Sequence, residues 1–509
     1  MQKKIKHSIV LFIGLVIINV IVTKLNFRWD ITLDKRYTLS ETTKDLLEKI
    51  DENLLVKVYL KGDFPLDFKR LQKEVSQHIY ELKSYNGNLH TRFINPSGIE
   101  EELIANGFQP SQLTIEEDGV ISETLIFPWA EISYKNKTAK VPLLMDSQSS
   151  QEEQLQYSIE NLEFTFSSAI ASILSEDHKT IAILRSNGEL ADIYLYDFLS
   201  SLRENYQIAP FLLSKPDENP QITLQDLKKY DLCVVAKPTK TFSEAEKLIL
   251  DQYIMDGGKK LWLIDNTIAE MDSLQQSGEA LFVPRDLNLT DLLFSYGLRI
   301  NYNLVEDLYC SKIAIATGNV GNKTQFDQFL WRYYPLVSPN KTHPISKKIS
   351  PVNLRFPTNI DTLKNDVQKT ALLESSNLTK LTGLPSLVNL SSIADKIDLE
   401  SYNSNPQILA VLLEGNFTSA FQHRARAFET DFKTKSETNK MIVVSDGDVV
   451  ANQIQNGKPT RLDVDKWTGQ QFGNKDFLLN SVAYLLDDNR LMELRSKSLE
   501  IKVLNSTIT

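Results

Sequence analysis

The sequence predicts an α/β protein: an N-terminal transmembrane helix (1–25), a small α/β domain (26–145), a linker and connecting helix (146–176), a larger doubly wound sheet domain (177–490) holding an irregular insertion at about 301–404, and a C-terminal tail (491–509). Three observations lead there. A chain of 509 residues exceeds one ordinary core, at about 150 residues per domain. Short apolar runs alternate with stretches of helical periodicity, the order that builds parallel sheets with crossover helices. The first 25 residues carry four lysines, no acid and a long apolar run.

That run comes first. Lys3, Lys4 and Lys6 precede Ile9 to Val22, interrupted only by Gly14 and Asn19, and Ile5 to Leu25 reaches the roughly 20 residues that span a bilayer. A cleaved secretory signal has a similar outline, but Val20, Ile21, Val22 and Lys24 stand where a small-x-small cleavage site belongs. A buried core helix is the other reading, and the basic tip weighs against it. By the positive-inside rule the lysines face the cytoplasm, which puts Asn26 to Thr509 across the membrane, in a bacterium the periplasm. The expected location is therefore the inner membrane, with lipid around residues 5–25.

After Arg28, RWDITLDKRYTLSETTKDLLEKI begins extended and turns helical, with Ser40 as N-cap before Leu46, Leu47 and Ile50. LLVKVYL (Leu54 to Leu60) alternates as a strand. Pro65 and Asp67 open a helix with Phe68, Leu71, Val75, Ile79 and Leu82 on one face, and a strand at Leu89 to Ile94 follows the turn Asn86-Gly87-Asn88. With hairpins from Gln112 to Val141 this β-α-β order is compatible with a thioredoxin-like fold, but no C-x-x-C is present, which excludes redox chemistry there.

The polar stretch Asp146 to Glu153 leads through a capping box, Ser150 with Glu153, into a helix carrying Leu155, Ile159, Leu162, Phe166, Ile170 and Ile173 on one face, expected between the two domains. The second βα series follows: TIAIL after Lys179, a helix near Leu190 to Glu204, a strand at Ile208 to Leu213, DLCVVA from Asp231, a helix from Ser243 to Asp256 with a capping box to Glu246, and KLWLI after Gly257-Gly258. From Asn301 to about Ser404 the periodicity weakens and Pro, Asn, Ser and Thr cluster, as in YYPLVSPNKTHPIS, so an irregular insertion with short strands is expected. Strands at Leu409 to Leu413 and Met441 to Val444 and a helix at Phe477 to Leu486 resume the sheet. No fixed-period repeat marks a solenoid or propeller.

Composition narrows the function. With 56 Lys+Arg against 66 Asp+Glu, a net charge of −10 and 42% hydrophobic residues, the chain is globular and lacks the phosphate attraction of a nucleic-acid binder. Two cysteines, Cys233 and Cys310, exclude a disulfide scaffold or a Cys-based zinc module. Six scattered histidines form no HExxH and no helical ligand pair, so neither a metal nor another cofactor is expected. The stretch Gly318 to Thr324 has the wrong glycine spacing for a phosphate cradle and reads as a loop. No G-x-S-x-G occurs, and Cys233 lies inside an apolar strand.

A doubly wound sheet binds ligands outside the carboxyl ends of its strands. There the sequence places Arg185, Asn187 and Glu189, then Lys237 and Thr239, then Asp265 and Asn266, and finally Asp446 and Asp448 in Ser445-Asp446-Gly447-Asp448. These are the candidate ligand or partner contacts. Ordinary strand-to-helix turns have the same composition, and Asp-Gly-Asp is commonly a turn. It fails the calcium-loop pattern because Val449 and Ala451 occupy ligand positions.

Four strings carry a resemblance: RWDITLDKRYTLSETTK, QLQYSIENLEFTFSSAI, MIVVSDGDVVANQI and NKDFLLNSVAYLLDD. Together, in that order over nearly the whole chain, they resemble the GldG family, gliding-motility-associated auxiliary or substrate-binding proteins of an ABC transporter in Bacteroidetes-type bacteria. The resemblance implies two partners, a multispan permease and an ATP-binding subunit. It also implies a central sheet related to intraflagellar-transport proteins and, more distantly, to flavodoxin- and glutamine-amidotransferase-like folds. Asp265 after KLWLI departs from catalytic amidotransferases, which place a nucleophile elbow there. Family members tend to carry a second span near the C-terminus, whereas RSKSLEIKVLNSTIT holds no second apolar run of sufficient length. The leading expectation is a noncatalytic, membrane-anchored periplasmic subunit acting by protein-protein contact; a solute-binding module and a hydrolase using Asp446 and Asp448 are the alternatives.

Overall fold

Ser40 is an N-cap, its Oγ accepting the N–H of Thr43 at 3.2 Å ahead of helix Glu41–Glu48, whose Leu46 and Leu47 are buried. The computed structural model describes residues 38–487 apart from 63, 118–119, 146–150, 176–178, 214–218, 321–322 and 348. The expected membrane span, the beginning of the string at Arg28, Ser150 of the first capping box and the tail 491–509 lie outside the described residues. Among the described residues no helix is long and apolar enough to cross a membrane.

The first sheet is built on the alternation of Leu54–Val58, whose Leu54, Val56 and Val58 face inward. This strand pairs in parallel with Leu89–Phe93 and antiparallel with Trp129–Tyr134, which forms a hairpin with Lys137–Pro142. Helix Leu66–Tyr85 lays Phe68, Leu71, Val75, Ile79 and Leu82 on this core. A second hairpin, Ser111–Glu117 with Val120–Ile126, stands off the sheet. The connecting helix differs from expectation in two ways. It is two helices, Gln151–Glu160 and Leu162–Leu174, and its six apolar residues all join the small domain's core, because the stripe fits the sheet's apolar face better than an interdomain cleft. Phe164, on another face, packs against the larger domain's core, and the Tyr157 ring faces Arg461 of that domain at 5.4 Å.

In the larger domain five parallel strands lie in the spatial order Gln207–Phe211, Thr180–Leu184, Leu232–Ala236, Lys259–Leu263, Lys435–Val444. Numbered along the chain this is 2-1-3-4-5, one of the two common doubly wound orders. Alternate residues feed opposite cores: Leu261 and Leu263 face helices Asp192–Arg203 and Asn474–Leu485, while Trp262 and Ile264 face helices Pro220–Leu227, Glu244–Met255 and Thr290–Ser295. Ser243 caps Glu244–Met255 in the expected box, with Glu246 Oε2 accepting the Ser243 N–H at 2.8 Å.

The insertion corrects the sequence reading most. Beyond Lys435–Val444 the sheet continues antiparallel through Ile408–Thr418, Gln368–Glu374, Lys323–Pro339 and Cys310–Val320. The last two are strands of 17 and 11 residues. The segment around 301–404 thus adds three strands to the sheet, with a small core of its own around Trp331, Tyr333 and Phe356, and also holds the expected short strands, such as Asn303–Asp307, Ile360–Thr362 and Thr379–Gly383. Its proline and polar clusters mark strand ends and bulges, such as the shift between Ala316 and Gly318, and hide the period-2 pattern. The stretch read as a failed phosphate loop is the tip of this long hairpin, where Val320 pairs with Lys323.

Candidate functional site

The strand Leu232–Ala236 is buried at every position, as a central parallel strand must be, and ends at Lys237. The Lys237 N–H still bonds the Leu263 carbonyl at 2.9 Å, but its φ is +53°, left-handed for a bulky residue that also precedes Pro238. Such a conformation costs on the order of 1–3 kcal/mol and persists only where surroundings enforce it. Here they do. Lys237, 5% exposed, directs Nζ to both carboxylate oxygens of Asp448 at 2.8 Å, to Glu270 at 3.1 Å and to Asp265 at 3.4 Å. Gly447 is required alongside: a Cβ there would sit 2.7 Å from the Lys237 Cβ.

The three aspartates arrive from two strand ends. Asp265 follows Lys259–Leu263 and accepts the Gly447 N–H; Asp446 and Asp448 follow Lys435–Val444. Asp446 is fully buried, its Oδ2 accepting the Arg355 N–H and its Oδ1 the Asp448 N–H, each at 2.7 Å. Burial, reinforced by Asp448, pushes the Asp265 carboxyl up to about 7 despite Lys237. Burial also holds the Asp446 carboxyl well above the usual carboxylate range, with Asp265 and Asp448 adding to it. Burial opposes the Lys237 charge, but Asp448, Asp265 and Glu270 outweigh it and raise the ammonium.

Above this cluster opens a cavity of about 360 Å³. Its walls come from the strand-end loops (Lys237, Asp448), from helix Met271–Ser277, from the inserted strand (Lys312, Ile313, Ala314), from Tyr334 and Arg355, and from the loop ending in Trp467. The position fits the strand-end rule. Mixed charge, two aromatic faces and this size suit a small polar solute. Among the described residues no cluster of His, Cys, Asp and Glu is fit to hold a metal ion.

The structure divides the sequence-derived candidates into two groups. Lys237, Asp265, Asp446 and Asp448 converge. Arg185, Asn187, Glu189 and Thr239 form a separate plug where the strand order reverses, between Thr180–Leu184 and Leu232–Ala236. There the Asn187 carbonyl accepts the N–H groups of Thr239 and Lys240 at 2.9 Å, Thr239 Oγ1 donates to the Gly188 carbonyl, and Glu189 Oε2 accepts the Asn187 N–H. Arg185 turns to Asp192 at 2.5 Å. Asn266 is structural, its Nδ2 donating to the Ile300 carbonyl at 3.1 Å. Sequence reasoning missed Glu270, Arg355, Tyr334 and Trp467. For Arg355 a signal existed: a lone charge between Leu354 and Phe356, both buried.

Fold and site together define an α/β protein with a polar, strand-end cavity and no nucleophile elbow. By its sequence the chain belongs to the family ABC_transp_aux, described as an ABC-type uncharacterized transport system, which matches residues 178–481. Residues 33–133 match a domain of unknown function, DUF7088. An uncharacterized protein of Borreliella burgdorferi is 20% identical over 448 residues, covering 86% of this chain and 80% of the relative. Two solved structures show distant likeness. The mmIFT52 N-terminal domain has a TM-score of 0.34 and 14% identity, with 60% of this chain and 97% of that one covered. A thua-like protein from Parabacteroides merdae has a TM-score of 0.27 and 12% identity, with coverages of 61% and 90%.

Proposed function

We propose that this chain is a noncatalytic auxiliary subunit of an ABC-type transporter of the GldG kind, associated with gliding motility. In this reading residues 5–25 anchor it in the inner membrane, the sheet domains lie in the periplasm, and a multispan permease and an ATP-binding subunit are its partners. The observation that carries the reading is the family match across the doubly wound domain. The chemistry of the cluster agrees with it. Both oxygens of Asp446 accept backbone N–H groups and those of Asp448 accept from Lys237, which agrees with a structural role for the pair. Co-purification after mild detergent extraction tests the proposal: permease and ATPase should accompany the protein, and their consistent absence would reject it.

A second reading, capture of a solute by the same subunit, is favoured by the cavity of about 360 Å³. A thermal-shift screen against sugars, peptides and lipids checks it, since a ligand of the native state raises the melting temperature.

A further inference from the structure

The charges around the cavity do not cancel evenly. Each buried acid of the floor has a donor: Asp448 and Asp265 have Lys237, Asp265 also has the Gly447 N–H, and Asp446 has two backbone N–H groups. Glu270 lies against Lys237 and, at 3.9 Å, Arg285. Arg355 is the exception. Its backbone N–H donates to Asp446, but its guanidinium makes no hydrogen bond or ion pair among the described residues and lies only 6.0 Å from the ring of Tyr334. Leu354 is buried in the core of the parallel sheet and Phe356 in the insertion's small core, while the Arg355 side chain between them lines the cavity. Among the described residues two acids of the lining have no ion pair: Asp272 is exposed to bulk water, where its field is screened, and Asp465, which attracts the guanidinium through space, has its oxygens on the Gln453 amide and the N–H groups of Trp467 and Thr468. A half-buried guanidinium with five donors and no acceptor is an oxyanion receptor.

We propose that the cavity binds a small organic oxyanion, a carboxylate or phosphate carried on a flat or apolar body, with its charged head on the Arg355 guanidinium and its body against Tyr334 and Trp467. The proposal rests on the solute-capture reading and names its ligand class. Trp467 suits the mouth: it is 46% exposed and its ring lies against Phe326, tilted by 37° with centroids 4.8 Å apart. At about 360 Å³ the cavity is near the lower end of ligand pockets, which confines the ligand to a small molecule.

The test titrates the full chain in mild detergent with benzoate, phenyl phosphate and the neutral isostere benzamide, by calorimetry and tryptophan fluorescence. Benzoate or phenyl phosphate should bind saturably, and the tighter of the two identifies the head group. Benzamide should bind at least about 10-fold more weakly. Arg355→Gln should weaken the anion about 10- to 100-fold without changing benzamide. Should that variant not fold, Trp467→Ala at the exposed mouth should weaken both anions and remove their fluorescence response. Equal binding of benzamide and benzoate would overturn the anion assignment while leaving solute capture standing. Absence of saturable anion binding, or anion affinity unchanged in Arg355→Gln, would overturn it as well.

Discussion

Lys260 is the most exposed to test of the fold's internal costs. It lies in the middle of the sheet opposite Cys233, fully buried, with Nζ lacking any hydrogen-bond partner and 4.5 Å from the ring of Trp262. Burial lowers its ammonium from 10.5 to about 8, against a weaker upward pull from Cys233. That gap corresponds to about 3 kcal/mol of stability lost when the lysine is charged. For a folded-state value below the unfolded one, the missing stability is present above pH 10.5 and lost as pH falls through about 8. Attraction to the Trp262 ring offsets about 1–2 kcal/mol of the cost when desolvated. Lys260→Met keeps the unbranched stem and removes the charge, so it should stabilise the protein by about 1–3 kcal/mol at pH 7, with the gain fading by pH 10.5. Cys233 and Tyr253 face the same amine and are both raised by burial, so they lose stability as pH rises. The readout is therefore the difference between variant and wild type in urea midpoints followed by tryptophan fluorescence, at constant m. A variant no more stable at pH 7, or a difference that does not shrink between pH 8 and 10.5, would refute the reasoning.

Other perturbations probe the site and its supports. Asp265→Asn fixes the neutral form of a carboxyl whose folded value, about 7, exceeds its ordinary 3.8, so wild-type stability falls as pH rises through 7; the variant should melt above wild type at pH 8 and with it at pH 4, and the reverse order would contradict the assigned direction. Asp251, fully buried in helix Glu244–Met255, accepts from Tyr296, Ala420, Ser419 and Gln252. Removing it in Asp251→Ala strands these donors and should cost roughly 3 kcal/mol or more in urea unfolding. Gly447→Ala brings a Cβ to 2.7 Å from the Lys237 Cβ and should cost about 1–3 kcal/mol, with a melting temperature equal to wild type counting against a rigid Lys237 turn.

How much of this was legible follows from what each signal measures. Periodicity and capping report local structure, and they located Ser40, the box Ser243 with Glu246, and the buried runs TIAIL, LCVVA and KLWL with little error. Pairing partners are non-local, so local periodicity reads Cys310–Val320 and Lys323–Pro339, strands of 11 and 17 residues, as irregular chain with short strands. Half of the cluster was visible because strand ends are marked by the last buried residue of each run. Glu270 and Trp467 were not, since neither stands at a strand end and only the fold brings them beside Lys237 and Arg355.

The placement of the cavity has a structural logic beyond the general rule. In a sheet of order 2-1-3-4-5 the crevice opens where the order reverses, yet here the chain closes that point with its own loop, the Asn187 carbonyl holding Thr239 and Lys240. The ligand-sized space lies further along, over the third, fourth and fifth parallel strands. There the fifth strand is not an edge: antiparallel strands continue from it, and the outermost supplies Lys312, Ile313 and Ala314 as a wall. Floor and wall thus have different origins. The floor, with Lys237 in a strained turn and Asp265 and Asp446 held at raised values, belongs to the doubly wound core and cannot vary without cost to folding. One wall, with Lys312, Ile313 and Ala314, and Tyr334 and Arg355 belong to the inserted chain, and helix Met271–Ser277 and the loop ending in Trp467 close the rest. For the solute proposed above, the insertion would supply Arg355, Tyr334 and one wall, while the buried acids hold Lys237 and the strand ends beneath it.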